Sequence, residues 1–511
     1  VKIERERKKL DCDLSEVAAA FAAWAGEHNL DFFAHSPHDG RSFAEMVEGA
    51  DFDVSEVTLF NLESTRRIDA EHYRPRYLKL DTLLAGLSVR SWGNLGGQFI
   101  VGPFGSDFTV DNYVDDPVFR YIRGKDVKPF FLLDDDNVYV PETDFLCLQK
   151  YQVRAGDLLV SVVGTLGNVA IATQDAGKAI YSCKSTLYRP AGVVDPYYLC
   201  AYLNSAIGQA YLERNPRGAI QMGLNLDDLA SIPIYIASPA QQQVIGDLVR
   251  QAYEQRQESK RLYRQAEQLL LDELSLSNLE LPTGLHNDAP ISKAWRVHRI
   301  DAEYYQPRYE YLDRAIQSAS TTVKPLGSLI HPIINGFDWR DFVEDGTPYI
   351  RVGDVYKDWI DLGNASRVAI SPKDIGKPIE LQTGDVLFTR KGTFGQAAVV
   401  DDRASLALIS SEIMRLRLLD PLAVHPQYLS LYLNSVLGYA QVERRVHGAG
   451  FYSISQEDLG QILICVPDWE TQKKIADGVA KSHAAHHQAE ALLEQAKRKV
   501  EALIESEVAR G

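Results

Sequence analysis

The side chains most able to do chemistry in this chain are cations and amides set beside glycines. The richest stretch is Arg214-Asn215-Pro216-Arg217-Gly218-Ala219-Ile220-Gln221, with Arg123, Lys125, Lys128 and Lys184 as further candidates upstream. A second set follows later: Arg351, Arg390, Lys391, Arg444, Arg445 and His447, then the tip Gly448-Ala449-Gly450-Phe451-Tyr452, of which Tyr452 is the candidate contact. Arg offers a bidentate donor pair suited to guanine, Gln an acceptor and donor suited to adenine, and Lys a point charge for phosphate. Clusters of these types on glycine-containing loops point to base and phosphate contact, whereas an isolated surface Arg is more simply a solvated residue or an ion-pair partner.

The two sets belong to an internal duplication. RIDAEHYRPRY at Arg67 to Tyr77 and RIDAEYYQPRY at Arg299 to Tyr309 share nine of eleven positions. YIRGKDV from Tyr121 pairs with YIRVGDV from Tyr349, and GDLLVSVVGTLG from Gly156 with GDVLFTRKGTFG from Gly384, both at an offset of 228. YLNSAIGQA from Tyr202 pairs with YLNSVLGYA from Tyr432, and NLDDLASIPI from Asn225 with SQEDLGQILI from Ser455, both at 230. Self-similarity of this kind decides architecture before any local reading does.

Elements that would position the loops are legible. GDLLVSVVG and GDVLFTRKG read as strands entering a Gly-Thr-x-Gly tip, from which NVAIAT and QAAVVD leave, making a hairpin in each repeat. Gly167 and Gly395 suit turn positions of positive φ, for which turn chemistry alone is a sufficient reason. Tyr121, Tyr349, Tyr202 and Tyr432 are the same in both copies, so they are expected to pack and not to discriminate. Each repeat ends in a polar, helix-prone segment, about Pro239 to Leu274 and about Trp469 to Glu507. The first opens on Ser238-Pro239-Ala240-Gln241, a capping box with Pro at the first helical position, and the second on Asp468, another good N-cap. Ile245, Leu248, Ala252, Leu262, Ala266 and Leu269 in one, and Ile475, Gly478, Ser482, Ala485, Ala489, Leu492, Ala496 and Leu503 in the other, fall near three-four spacing. Such a stripe can pack on its own domain or on the other helix, and two copies at matched places favour pairing. A helix of about 36 residues would span roughly 50 Å.

These landmarks give six segments: 1–66, partly helical around Leu14 to Trp24; a globular repeat at 67–238; a helix at 239–274; a linker at 275–298; the second repeat at 299–467; and a helix at 468–508. The expected fold class is α+β, two duplicated α/β domains separated by two long helices in an antiparallel coiled coil.

The 511 residues carry a formal net charge of −16, which argues against a chain that grips nucleic acid by bulk electrostatics alone. Residues 1–66 hold 7 Lys and Arg against 14 Asp and Glu, so nearly half of the excess lies outside the repeats and a basic face remains compatible with an acidic whole. Cys12, Cys147, Cys183, Cys200 and Cys465 form no C-x-x-C pair and have no His at zinc-ligand spacing, so no metal is expected. No apolar run approaches membrane-spanning length and the beginning has no signal-peptide character, which points to the cytoplasm and away from membranes.

Taken together, GPFGS at Gly102 to Ser106, YIRGKDV, GDLLVS..GT.G, YLNS and NLDDL..IPI followed by a long helix resemble the DNA specificity subunits of type I restriction-modification systems, over about residues 67 to 508. The resemblance implies two target-recognition domains related by pseudo-twofold symmetry, each reading half of a bipartite site in double-stranded DNA. It further implies two methylation subunits docked on the helices and motor-nuclease subunits that join them. The chain would then need no cofactor and no catalytic residue of its own, and it contains no N-P-P-[FYW], G-x-x-x-x-G-K-[ST] or G-x-G-x-x-G motif. Two other readings are a detached recognition subunit of another restriction-methylation type and an acidic coiled-coil scaffold or decoy; the basic glycine loops count against the latter. Residues 1 to about 60 match nothing in the family.

Overall fold

The computed structural model describes residues 55, 57, 58, 61, 62, 65, 67–103, 112–134, 137–218, 222–284, 287–363, 365–375, 379–448 and 452–509. The expected helix around Leu14 to Trp24 therefore lies outside the described residues, as does part of the GPFGS motif. The chain forms two compact units, one of Val1–Gln251 with Ala491–Gly511 and one of Ala252–Glu490. The elements are mixed helices and sheets, an α+β protein.

In the first unit, α1 (Pro75–Ala85) begins with Pro in its first turn, where the missing N–H costs nothing. The strands β1 (Val89–Ser91), β2 (Gln98–Val101), β3 (Phe119–Ile122), β4 (Phe130–Phe131), β5 (Val138–Tyr139), β6 (Leu158–Ser161), β7 (Val169–Ile171), β8 (Lys178–Tyr181) and β9 (Ser185–Arg189) follow. Five of them make a sheet of order β2-β9-β6-β7-β4, and β5-β3-β8 make a second. The run Leu158-Leu159-Val160 is buried without alternation, as a central strand covered on both faces requires. Each such side chain contributes roughly 1.5–3 kcal/mol on leaving water. The preceding Asp157 is fixed by Arg189, whose Nε and Nη2 donate at 3.0 and 2.7 Å. The helices α2 (Pro196–Asn204) and α3 (Ala206–Arg214) come next, then β10 (Pro233–Tyr235), which pairs with β1. Tyr198 and Tyr202 on α2 are fully buried and donate to the carbonyls of Tyr235 and Pro233 at 2.8 and 2.7 Å, while Asn204 donates to Val169 on β7.

The long helix α4 (Pro239–Glu273) starts at the Ser238 box: the Ser238 N–H donates to Gln241 Oε1 at 2.9 Å, and the Gln241 N–H to Ser238 Oγ at 3.4 Å. Its residues to Gln251 belong to the first unit, the remainder to the second.

The second unit repeats the plan. Helix α5 (Pro307–Ser318) precedes β11 (Thr322–Pro325), β12 (Ile334–Asn335), β13 (Phe342–Val343), β14 (Thr347–Ile350), β15 (Val355–Tyr356), β16 (Trp359–Ile360), β17 (Ser366–Val368), β18 (Val386–Thr389), β19 (Ala397–Val399), β20 (Leu408–Ile409) and β21 (Ile413–Leu416). Then come α6 (Pro426–Asn434), α7 (Val436–Arg445), β22 (Leu463–Val466) and the helix α8 (Trp469–Val508), capped by Asp468, which accepts the Thr471 N–H at 3.0 Å. The sheets run β12-β21-β18-β19 and β13-β17-β14-β20. Registers coincide residue for residue at the offset of 228: Leu159 faces Leu187 as Leu387 faces Arg415, and Tyr121 faces Ile180 in parallel as Tyr349 faces Leu408. Tyr121, Tyr349 and Tyr432 are buried, like Tyr202, consistent with packing roles.

Within the second unit the end of α4 and the start of α8 run antiparallel. Ser259 meets Ser482, the latter donating to the Ser259 carbonyl at 2.8 Å, and Lys474 meets Glu273 at 2.7 Å. A Cβ placed on Gly478 would lie 3.2 Å from the Ala266 Cβ, so a small seam lets the backbones approach. The same faces join the core, where Ala266, Leu270 and Leu274 pack with Leu312, Ile475 and Val479. Both packings expected of the stripe occur here together. Farther along α8, in the first unit, Ala496, Val500 and Ile504 are buried and Leu503 is only half-buried, which rotates the seam from the spacing read in sequence. Gly478→Leu should overpack this seam and cost about 1–3 kcal/mol, read as a lower denaturant midpoint, with Gly478→Ala much milder; equal midpoints for Gly478→Leu and the native chain would show that the seam is slack.

Candidate nucleic-acid interface

In each unit the loop that follows the second short helix is clamped by the RIDAE motif. Arg67 holds Asp69 with Nε at 2.9 Å and donates to the carbonyls of Asn215 and Pro216 at 2.9 and 3.1 Å. Arg299 holds Asp301 at 2.8 Å and donates to the Val446 carbonyl at 3.3 Å. The motif thus fixes where the loop leaves its helix.

The loop then folds onto the hairpin tip. The Arg217 and Gly223 amides exchange hydrogen bonds at 2.8 and 2.9 Å, Leu224 donates to the Val162 carbonyl at 3.1 Å, and Val162 donates to the Lys184 carbonyl at 2.9 Å. In the second unit His447 and Ser453 exchange bonds at 2.8 and 2.9 Å, Ile454 donates to Arg390 at 3.0 Å, and Arg390 donates to Glu412 at 2.9 Å. Gly218 and Gly448 sit at φ 126° and 127°, a left-handed conformation that excludes a Cβ at both matched places. The hairpin tips repeat too, with Gly167 and Gly395 at φ 80° and 85°. One backbone network therefore presents different side chains: Val162 against Arg390, Val163 against Lys391, Lys184 against Glu412, and Arg217 against His447.

Around this network the structure gathers most of the expected residues. Lys184 is exposed and lies against Gly124, where an added Cβ would come within 2.8 Å of its own, which brings it beside Arg123 and Lys125. Arg123 grips the buried Asp126 with Nε and Nη2, both at 3.0 Å, and so shapes the turn that carries the exposed Lys125. Lys128 is half-buried. The Arg217 side chain is 40% exposed and forked onto Asp228 at 2.6 Å, which keeps its pKa above the ordinary value. Gln221 lies outside the described residues. In the second unit Arg351 is exposed and lies over the Phe342 ring at 5.5 Å, and Lys391 is exposed on the tip next to Ser453. Arg390 is half-buried, and among the described residues its buried Nε meets no acceptor. His447 is exposed, with Nε2 3.2 Å from Asp458. Tyr452 stands beside Phe394 at a ring separation of 6.2 Å.

Two expected DNA contacts need correcting. Arg214 is 8% exposed; its Nη1 reaches Asp81 at 2.7 Å and its Nε the His72 carbonyl at 2.8 Å. Arg444 is 5% exposed and does the same with Asp313 at 2.7 Å and the Tyr304 carbonyl at 3.1 Å. Both guanidiniums are engaged inside the domain and offer no donor to a groove. Arg445 is half-buried and donates back to the Gln441 carbonyl at 3.1 Å; burial holds its pKa below the ordinary value, and it stands apart from the tip network. The overlooked residues are the clamps Arg67, Asp69, Arg299 and Asp301 and the acids Asp228 and Asp458. Their identity in both repeats was the available signal, the same one that marked the tyrosines as scaffold.

Among the described residues no group of His, Cys, Asp and Glu is placed to hold a metal ion, and no helix is long and apolar enough to cross a membrane.

The duplicated α+β chain thus keeps its scaffold while its tip side chains change. Residues 336–495 match the family described as "Type I restriction modification DNA specificity domain". The matched stretch lies in the second repeat and runs into helix α8. It is 26% identical over 105 residues to the type I restriction enzyme EcoBI specificity subunit of Escherichia coli, a match spanning 20% of this chain and 22% of that protein. Among solved structures it is similar to the type I S subunit from M. genitalium (14% identity, 82% of this chain and 94% of that one, TM-score 0.35). It is also similar to the HsdS subunit from Thermoanaerobacter tengcongensis (17% identity, 81% and 97%, TM-score 0.25).

Proposed function

We propose that the chain is the sequence-specific DNA recognition subunit of a type I restriction-modification complex, each domain reading one half of a bipartite site. It supplies the address and no catalysis of its own, while two methylation subunits dock on the helices and motor-nuclease subunits complete the assembly. The observation that carries the reading is the tip network: identical backbone hydrogen bonds under side chains that differ in charge between the copies. A module that must read two different sequences with one frame needs that combination, since base edges are discriminated by side chains and position is fixed by the frame.

The test uses the complex assembled with its methylation subunits. Arg390→Ala with Lys391→Ala should relax the second half-site alone, by about 1–3 kcal/mol for each bidentate hydrogen-bonded base that the variant can no longer hold. Sequencing of methylated sites reads both halves at once. An unchanged target, or equal relaxation of both halves with the complex intact, would refute modular reading.

A further inference from the structure

The closing pairs of the two loops, Arg217 with Gly223 and His447 with Ser453, each have a large apolar side chain immediately inside them. Met222 is 53% exposed and Tyr452 is 55% exposed, and they occupy matched positions at the offset of 230. Leaving such side chains in water forgoes roughly 1.5–3 kcal/mol each, yet both repeats keep one at this place while the residues around it change.

Their surroundings differ in rigidity. The Tyr452 ring meets Phe394 edge-on, and Phe394 lies parallel to Tyr439 at 6.1 Å, with the planes 4° apart. Gly395 admits this stack, since a Cβ there would come within 3.0 Å of the Tyr439 ring. At the places of Phe394 and Tyr439 the first repeat has Leu166 and Gln209, and Gln209 donates to the Gly167 carbonyl at 3.1 Å. Met222 therefore lacks the aromatic pair that supports Tyr452, and it brings three rotatable bonds.

The charge beside each apolar side chain indicates what covers it. Met222 is joined through Gly223 to Arg217, with Lys184 one hydrogen bond beyond Val162. Tyr452 adjoins Ser453, which bridges to both Lys391 and His447. Of these groups Arg217 and His447 face Asp228 and Asp458, while Lys184 and Lys391 are exposed; an exposed cation near an apolar side chain is a combination by which proteins hold phosphates and reach base faces and methyl groups.

We propose that Met222 and Tyr452 are the apolar base contacts of the two domains, Tyr452 presenting a ring at a fixed angle and Met222 an adaptable chain. This rests on the reading of the chain as a DNA recognition subunit. Selectivity in the second half-site then depends on the Tyr452 ring at one base step, and the first half-site tolerates changes of shape at Met222.

The experiment is methylated-site sequencing with the assembled complex. Tyr452→Ala should lower selectivity roughly ten-fold at one or two adjacent positions of the second half-site, the size of the effect of a single mismatched base pair. Tyr452→Phe should keep it. Met222→Ala should relax the first half-site only, and Met222→Leu should keep it. Tyr452→Phe and both Met222 variants alter exposed side chains and should keep the native unfolding midpoint, while Tyr452→Ala also loses the edge-on contact with Phe394 and should lower it slightly. If Tyr452→Ala and Met222→Ala leave the target unchanged while Arg390→Ala with Lys391→Ala relaxes the second half-site, the apolar contacts are wrong and the recognition reading stands. If none of these variants alters the target, the recognition reading falls and the apolar contacts with it.

Discussion

Arg444→Ala should loosen the second unit without redirecting what it reads. Its guanidinium bonds Asp313 and the Tyr304 carbonyl and lies over the Tyr304 ring at 4.4 Å and the Tyr309 ring at 5.6 Å. Truncation leaves a carbonyl without its donor, a carboxylate without its partner and a hole between two rings. The Asp313 side chain is 34% exposed, so water screens the carboxylate that is left and the loss is about 1–3 kcal/mol, against a total that for most domains is only about 5–15 kcal/mol. Because the severed carbonyl bond also anchors the helix from which the loop departs, recognition should weaken across that whole half-site. Arg444→Lys keeps a charge without the fork and should recover only part of the stability. Arg214→Ala should act the same way in the first unit. The measurements are denaturant midpoints of both variants and methylated-site sequencing of the assembled complexes. A native midpoint together with an altered base preference at one position would make Arg444 a base-reading residue after all.

Acid should weaken the first unit through His72. Burial, then the nearby Arg214 and Arg67, hold this imidazole at about 4 in place of 6.5, and among the described residues its buried Nδ1 meets no hydrogen-bond partner. Below about pH 6.5 the unfolded chain takes up a proton that the folded one refuses until near pH 4. The contribution is therefore complete above pH 6.5 and is lost as pH falls through that window, by up to about 1.4 kcal/mol per unit. The neighbouring Asp69, held below its ordinary range by Arg67, acts in a lower window, beneath about pH 3.8. The matched residue of the second repeat is Tyr304, which brings no imidazole to that place. His72→Tyr should consequently flatten the stability of the first unit between pH 6.5 and 4, measured as the denaturant midpoint at several pH values. The same acid slope in the variant and the native chain would show that other groups govern it.

Much of this molecule follows from local rules that sequence exposes. The offsets of 228 and 230 led to coincident registers such as Leu159 with Leu187 and Leu387 with Arg415. Ser238 and Asp468 cap their helices because a side-chain oxygen three residues from an open N–H is a local arrangement. Gly167 and Gly395 take positive φ because the turn allows little else. The place of the two tip loops was legible as well, since glycine and arginine cluster there in both copies.

The fate of individual cations was not legible. Arg214, the last residue of α3, and Arg217 in the loop after it stand three residues apart, yet one is sealed against Asp81, 133 residues away, and the other reaches the surface. Arg444 finds Asp313 across 131 residues. Helix α8 likewise turns Val500 and Ile504 inward where spacing had favoured Leu503. Sequence by itself determined the duplication, the elements and the place of the loops, because caps, turns and hydrophobic patterns act over a few residues. Only the tertiary structure decided which arginines hold the frame and which face outward, because burial and ion pairing depend on partners that the fold brings from far along the chain.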